Sequence, residues 1–141
     1  MFRSTMKILP QKEFMDITDI VNAQVHISKV KDGVIVLHCG HTTCGLKIME
    51  NEILSLSDID DFLKRIVPST IDYAHDKINL RQVPPNERVN GVSHVKMLFF
   101  DTSISIPIED GKLLLGEWQR LFLVEMDGSP CRERTIIITI I

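Results

Sequence analysis

Cysteine is too scarce in this 141-residue chain to build a disulfide framework: Cys39, Cys44 and Cys131 form an odd set with no CxxC pair. A stapled secreted scaffold is thereby disfavoured, and a reducing, cytoplasmic compartment is expected. The first residues, Met1 to Lys7, lack the apolar run and small-residue cleavage site of a secretory leader. No apolar stretch approaches the roughly 20 residues needed to span a bilayer. Met97 to Ile108 is broken by Asp101 and Pro107, and Ile136 to Ile141 is too short, so no membrane partner is expected. Positive charge is not in excess either: 16 Lys and Arg against 19 Asp and Glu leave a net charge of −3. Without a basic field, nucleic acid is not an expected partner. There is no internal repeat, low-complexity tract or linker, and no GxGxxG, Walker loop or GxSxG elbow.

What is present is an ordinary globular balance, 44% hydrophobic and 25% charged, at a length suited to one domain over residues 1–141. Phe2 to Leu9 alternates as a half-buried strand does. Asp16 or Thr18 can cap a helix carrying Ile17, Ile20, Val21 and Val25 on one face. Val34 to Cys39 reads as an interior strand, and Leu46 and Ile48 belong to the next. Ser57-Asp58-Ile59-Asp60 is expected to open a second helix that Pro68 ends. Residues 69–91 form a long aperiodic loop, of the kind that is usually functional or disordered. Val95–Phe100, Ser103–Ile108, Leu113–Met126 and Thr135–Ile141 read as strands, with a hairpin turn at Asp110-Gly111. The class is α+β: a largely antiparallel sheet with two main helices. The flat isoleucine strand at the end must be covered by helices or by a neighbouring subunit.

The most informative short stretch is Cys39-Gly40-His41-Thr42-Thr43-Cys44-Gly45, where two glycines flank a histidine and two hydroxyls at a strand end. Imidazole can ligate a metal, and Thr42 and Thr43 can hold phosphate oxygens; taken alone, the heptad is equally a strand-to-strand turn. His75 lies in the long loop and His94 opens the expected strand, at spacings unlike those of a zinc finger or an HExxH helix. Spacing therefore carries no information on whether these rings converge. His26 and His38 read as structural, and Cys44 as a small buried thiol rather than a ligand. Lys96, two residues after His94, would share its strand face and meet an anionic substrate. Arg132 and Arg134 would likewise share a face and fork onto a phosphate or carboxylate, or remain solvated. Glu50, Asp76 and Glu125 are the carboxylates available to orient an imidazole or move a proton.

Several stretches together resemble one family. His41-Thr42-Thr43, Glu50-Asn51, Tyr73-Ala74-His75-Asp76 and Ser93-His94-Val95-Lys96 follow one another, then Pro107-Ile108, Asp110 to Gly116, Trp118-Gln119 and Glu125-Met126-Asp127-Gly128. In this order they are similar to the YjbQ-like proteins, the secondary thiamine-phosphate synthase family, over nearly the whole chain. The resemblance implies the YjbQ-like fold, a homotrimer, and a divalent metal, zinc or (for a diphosphate substrate) magnesium, held by His41, His75 and His94. It further implies a small phosphorylated substrate and, as in some members, weak thiamine-phosphate synthase activity, the transfer of a pyrimidine group from its diphosphate to a thiazole phosphate. Lys96 and Arg132 would neutralise the departing diphosphate, with Glu50 and Asp76 orienting a histidine or moving a proton. The family pattern is altered at Met49, Ile53, Asp101 and Glu117, and its Gly-Pro-Arg is stretched to Gly128-Ser129-Pro130-Cys131-Arg132. Two rival expectations are a metal-dependent hydrolase of another substrate and a non-catalytic trimer that binds a metal or small anion.

Overall fold

Alternation of side chains along the first strand sets the outer layer. In β1 (Phe2–Ile8), Phe2, Ser4 and Met6 turn inward while Arg3, Thr5 and Lys7 stay exposed. A computed structural model describes residues 1–128 and 132–141, which leaves Ser129, Pro130 and Cys131 outside the described residues. The elements that follow are β2 (Phe14–Asp16), α1 (Thr18–Ser28), β3 (Gly33–Cys39), β4 (Cys44–Met49) and α2 (Ile53–Ile66). Short 3₁₀ turns then cover Ala74–Asp76 and Ile78–Leu80, ahead of α3 (Gly91–Lys96) and a further turn at Met97–Phe99. The chain ends in β5 (Ser103–Glu109), β6 (Lys112–Leu113), β7 (Arg120–Glu125) and β8 (Arg134–Ile140).

Two antiparallel sheets result, one of five strands in the order β1-β8-β3-β5-β6 and one of three in the order β2-β7-β4. The isoleucine strand β8 lies between β1 and β3, with Ile136, Ile138 and Ile140 fully buried. Each such side chain contributes about 1.5–3 kcal/mol by leaving water. They pack with Ile17, with Val21 and Val25 of α1, and with Leu121 and Leu123 of β7. On the other face of β7, Phe122 and Val124 meet Leu63 of α2 and Met97. Strand β7 is therefore buried on both faces, which is why Leu121 to Val124 does not alternate. The β5–β6 hairpin turns at Asp110 and Gly111 with φ of 50° and 74°, the left-handed pair such a tight turn requires.

The α+β class and the antiparallel sheets stand, with a short third helix added to the two main ones. Four expectations are corrected. Residues 95–100 are not a strand: Val95 and Lys96 close α3, a six-residue helix, and a 3₁₀ turn follows. Tertiary contacts override the β propensity of this stretch. Helix α2 starts before Ser57, at Ile53, because the Glu52 carboxylate accepts the N–H groups of Leu54 and Ser55 at 2.9 and 2.8 Å. Asp58 and Asp60 therefore sit in its interior. Residues 113–126 do not form one strand either, for Gly116 to Gln119 turns between β6 and β7. At α1 neither Asp16 nor Thr18 is the N-cap: that position falls on Ile17, which makes no side-chain cap bond, although Asp16 Oδ1, one residue earlier, accepts the Thr18 N–H at 3.0 Å. Among the described residues, no helix is long and apolar enough to cross a membrane.

Candidate functional site

The loop from β3 to β4 carries His41, Thr42 and Thr43 to the end of the sheets where β8 begins. There the backbone N–H of Thr135 donates to His41 Nε2 at 2.9 Å, fixing the ring against the sheet. On the opposite side, Asp76 Oδ1 accepts the N–H of Gly91, the first residue of α3, at 2.7 Å. This bond ties the turn at Ala74–Asp76 to the helix and lays the His75 ring on that of His94, with centroids 4.4 Å apart. Gly91 is needed here, because a Cβ would come within 2.6 Å of Tyr73 Cβ and 2.9 Å of Asp76 Oδ1. Arg81 reaches back to donate from Nη1 to the His75 carbonyl at 2.5 Å.

His41, His75 and His94 line one cavity of about 390 Å³, with Thr42, Thr43 and Asn90. That is within the size range of small-molecule sites, roughly 300 to 1,000 Å³. Arg81, Arg132 and Arg134 also line it, against one carboxylate, Glu87. Behind this wall the arginines are braced by buried acids. Arg134, 1% exposed, donates from Nε and Nη2 to the two Glu125 oxygens at 2.5 Å each, and from Nη2 to Thr43 Oγ1 at 3.2 Å. Arg132 Nη1 donates to Asp127 Oδ2 at 2.5 Å, and Asn90 Nδ2 donates to Asp127 Oδ1 at 3.1 Å. Burial, then the Arg134 and Arg132 guanidiniums, hold His41 below the usual imidazole range, with Glu125 opposing. Burial and then His75 lower His94 as well. Both rings are accordingly neutral at neutral pH.

Several expected residues lie elsewhere. Lys96 does not share a face with His94, because two residues turn a helix by about 200°. Its side chain points to a separate cavity and comes within 3.9 Å of Glu13. Glu50 is exposed just past the far end of β4 from His41 and does not line the histidine cavity. Asp76 holds α3 and does not line the cavity, and Glu125 serves Arg134. Arg132 and Arg134 do not share a strand face: Arg134 opens β8 and is buried, while Arg132 precedes the strand. Arg81, Glu87 and Asn90 were not singled out from the sequence. The length of the loop was the one signal that pointed to their region. Cys44 is fully buried, and its thiol is pushed up by its hydrogen bond with Cys39 and by burial.

A three-imidazole metal site does not fit this arrangement within one chain. With Nε2 of His41 accepting from Thr135, the neutral ring carries its proton on Nδ1 and offers no free lone pair. Among the described residues, no three His, Cys, Asp or Glu side chains are grouped to hold an ion. The guanidinium wall suits an anion instead.

A family profile described as "UPF0047 protein YjbQ-like" matches residues 3–141. A UPF0047 protein of Archaeoglobus fulgidus is 35% identical over 134 residues, covering 95% of both chains. One from Methanocaldococcus jannaschii is also 35% identical, over 94% of this chain and 89% of its own. Among solved structures, a hypothetical protein of Aeropyrum pernix K1 superposes with a TM-score of 0.84 at 26% identity, over 100% of this chain and 98% of that one. A yjbq/upf0047 family protein of Clostridium acetobutylicum gives a TM-score of 0.79 at 32% identity, with both chains covered in full. With its sequence and its fold matched from end to end, the chain belongs to the YjbQ-like, UPF0047 family.

Proposed function

We propose that this chain is an enzyme acting on a small phosphorylated substrate bound in the histidine cavity. One observation carries the reading: three guanidiniums and three imidazoles line a single cavity that only one carboxylate shares. Arg81, Arg132 and the Thr42 hydroxyl hold phosphate oxygens, while buried Glu125 and Asp127 keep the arginine planes fixed before the ligand arrives. An entering phosphate favours the charged form of His94. This imidazole, neutral in the free protein, then binds a proton and can pass it to a leaving oxygen, while His41, held by Thr135 on Nε2, can donate from Nδ1 to a phosphate oxygen. Thiamine-phosphate synthesis, which the family resemblance brings, is one reaction of this class. The carbon–oxygen bond to a diphosphate breaks, the pyrimidine carbon bonds to the thiazole nitrogen, and the diphosphate leaves onto the guanidiniums.

The test has two stages. Calorimetric titration with inorganic phosphate reads binding: wild type binds, and Arg132→Ala loses about tenfold or more in affinity, roughly 1.4 kcal/mol. Incubating the two phosphorylated halves of thiamine phosphate then reads turnover against a His94→Ala control. Absence of phosphate binding removes the reading. Binding without turnover leaves the non-catalytic anion binder, and release of phosphate from simple esters favours the hydrolase. Elemental analysis of the purified protein checks zinc or magnesium separately.

Self-association as a homotrimer is part of the same proposal. Val34 and Ile137, each 40% exposed, lie on the outward face of the five-stranded sheet, the surface that neighbouring copies would cover. Light scattering behind a sizing column gives the assembly mass, and a monomer would remove this part.

A further inference from the structure

Lys96 presents a half-buried ammonium to a second cavity, about 410 Å³, on the opposite face of α3 from His94. Its side chain is 16% exposed, yet its counter-charge, Glu13, stands 3.9 Å away, beyond hydrogen-bonding distance. The ammonium therefore has donors free for an acceptor placed beside it in the cavity. The neighbouring wall is apolar, built from Val89, Val92 and Met126, and Lys12 adds a second positive charge at the rim. Glu125 and Asp127 also border the space, but Arg134 and Arg132 already neutralise them.

We propose that this second cavity is a binding site for a small apolar monocarboxylate, whose carboxylate bonds Lys96 and whose hydrocarbon body packs on Val89, Val92 and Met126. Charge selects a monocarboxylate over a phosphate. With Glu125 and Asp127 neutralised by their arginines, Lys12 and Lys96 against Glu13 leave one net positive charge in the lining, which a monocarboxylate matches and a dianion exceeds. The cavity shares no lining residue with the histidine cavity, so the inference is independent of the phosphate reading.

Titration with butyrate and with its uncharged isostere butyramide, followed by amide chemical shifts, tests it. Butyrate is expected to shift the Val92, Ser93 and Met126 amides saturably, and butyramide to leave them in place. Lys96→Met should weaken butyrate at least about tenfold, and Lys96→Arg should restore part of the loss. Equal responses to butyrate and butyramide, no response to either, or an unaltered titration in Lys96→Met overturns the proposal. Inorganic phosphate binding is read in parallel. If Lys96→Met loses phosphate affinity in place of butyrate affinity, the lysine serves the histidine cavity and the inference falls, while the phosphate reading survives.

Discussion

His41 receives the Thr135 backbone N–H on Nε2 at 2.9 Å, so the loop after β3 is locked to the start of β8 through one imidazole lone pair. The bond dictates the tautomer, with the proton of the neutral ring on Nδ1 facing away from Thr135. Nitrogen-correlated spectra of the imidazoles at pH 7.5 should show an unprotonated Nε2 and a protonated Nδ1 for His41. The opposite tautomer, or a ring already charged at that pH, would contradict the assigned geometry.

Acidification should weaken the fold through the same rings. His41 and His94 both lie below the usual 6.5 in the folded chain. Below that value the unfolded state binds more protons than the folded state, so stability present above it declines as pH falls toward the lowered folded values. Glu13, raised from 4.5 by burial despite Lys96, acts in the opposite direction. Urea midpoints should therefore drop between pH 7.5 and 5.5, and His94→Gln should shrink the drop. A midpoint change on acidification that is the same in His94→Gln as in wild type would contradict the depression of His94.

The strands were legible because hydrophobic period reports directly on two-sided environments. Alternation gave β1, the isoleucine run gave β8, and Asp110-Gly111 gave the hairpin. The helix carrying His94 and Lys96 was not legible. At six residues it is too short to show a period, and it is held from outside by Asp76 on Gly91. That one error moved Lys96 from the histidine cavity to the other side of α3. The meeting of His75 with His94 likewise depends on a loop closure that spacing does not encode, and it was expected through the family motifs alone. Glu52 was missed as the cap of α2 because Ser57-Asp58 is the stronger local start signal, whereas the structure uses a longer carboxylate in the same role.

The pair formed by Arg134 and Glu125 is expected to be among the most sensitive features of the wall. Both side chains are almost wholly enclosed, at 1% and 3% exposure, and their two short bonds are mutual. Removing one partner leaves the other charged and unpaired, at a cost of about 3–5 kcal/mol. Arg134→Met should lower unfolding free energy by that order in urea titrations, and Arg134→Met with Glu125→Leu should recover much of it. A single substitution costing under about 1 kcal/mol would mean that water reaches the pair.

Gly91→Ala separates positioning of the histidines from their chemistry. The new methyl would lie 2.6 Å from Tyr73 Cβ and 2.9 Å from Asp76 Oδ1, so the segment bearing His75 must retreat from α3. That retreat breaks the 2.7 Å bond from Gly91 to Asp76 and parts the two rings. Overpacking of this kind costs about 1–3 kcal/mol, and phosphate affinity should fall with it although every residue lining the cavity is unchanged. Gly40→Ala is the control for stability, since a Cβ there meets nothing within 4 Å. Should Gly91→Ala match wild type in both melting temperature and phosphate affinity, the clamp between Asp76 and α3 would not be what places His75 against His94.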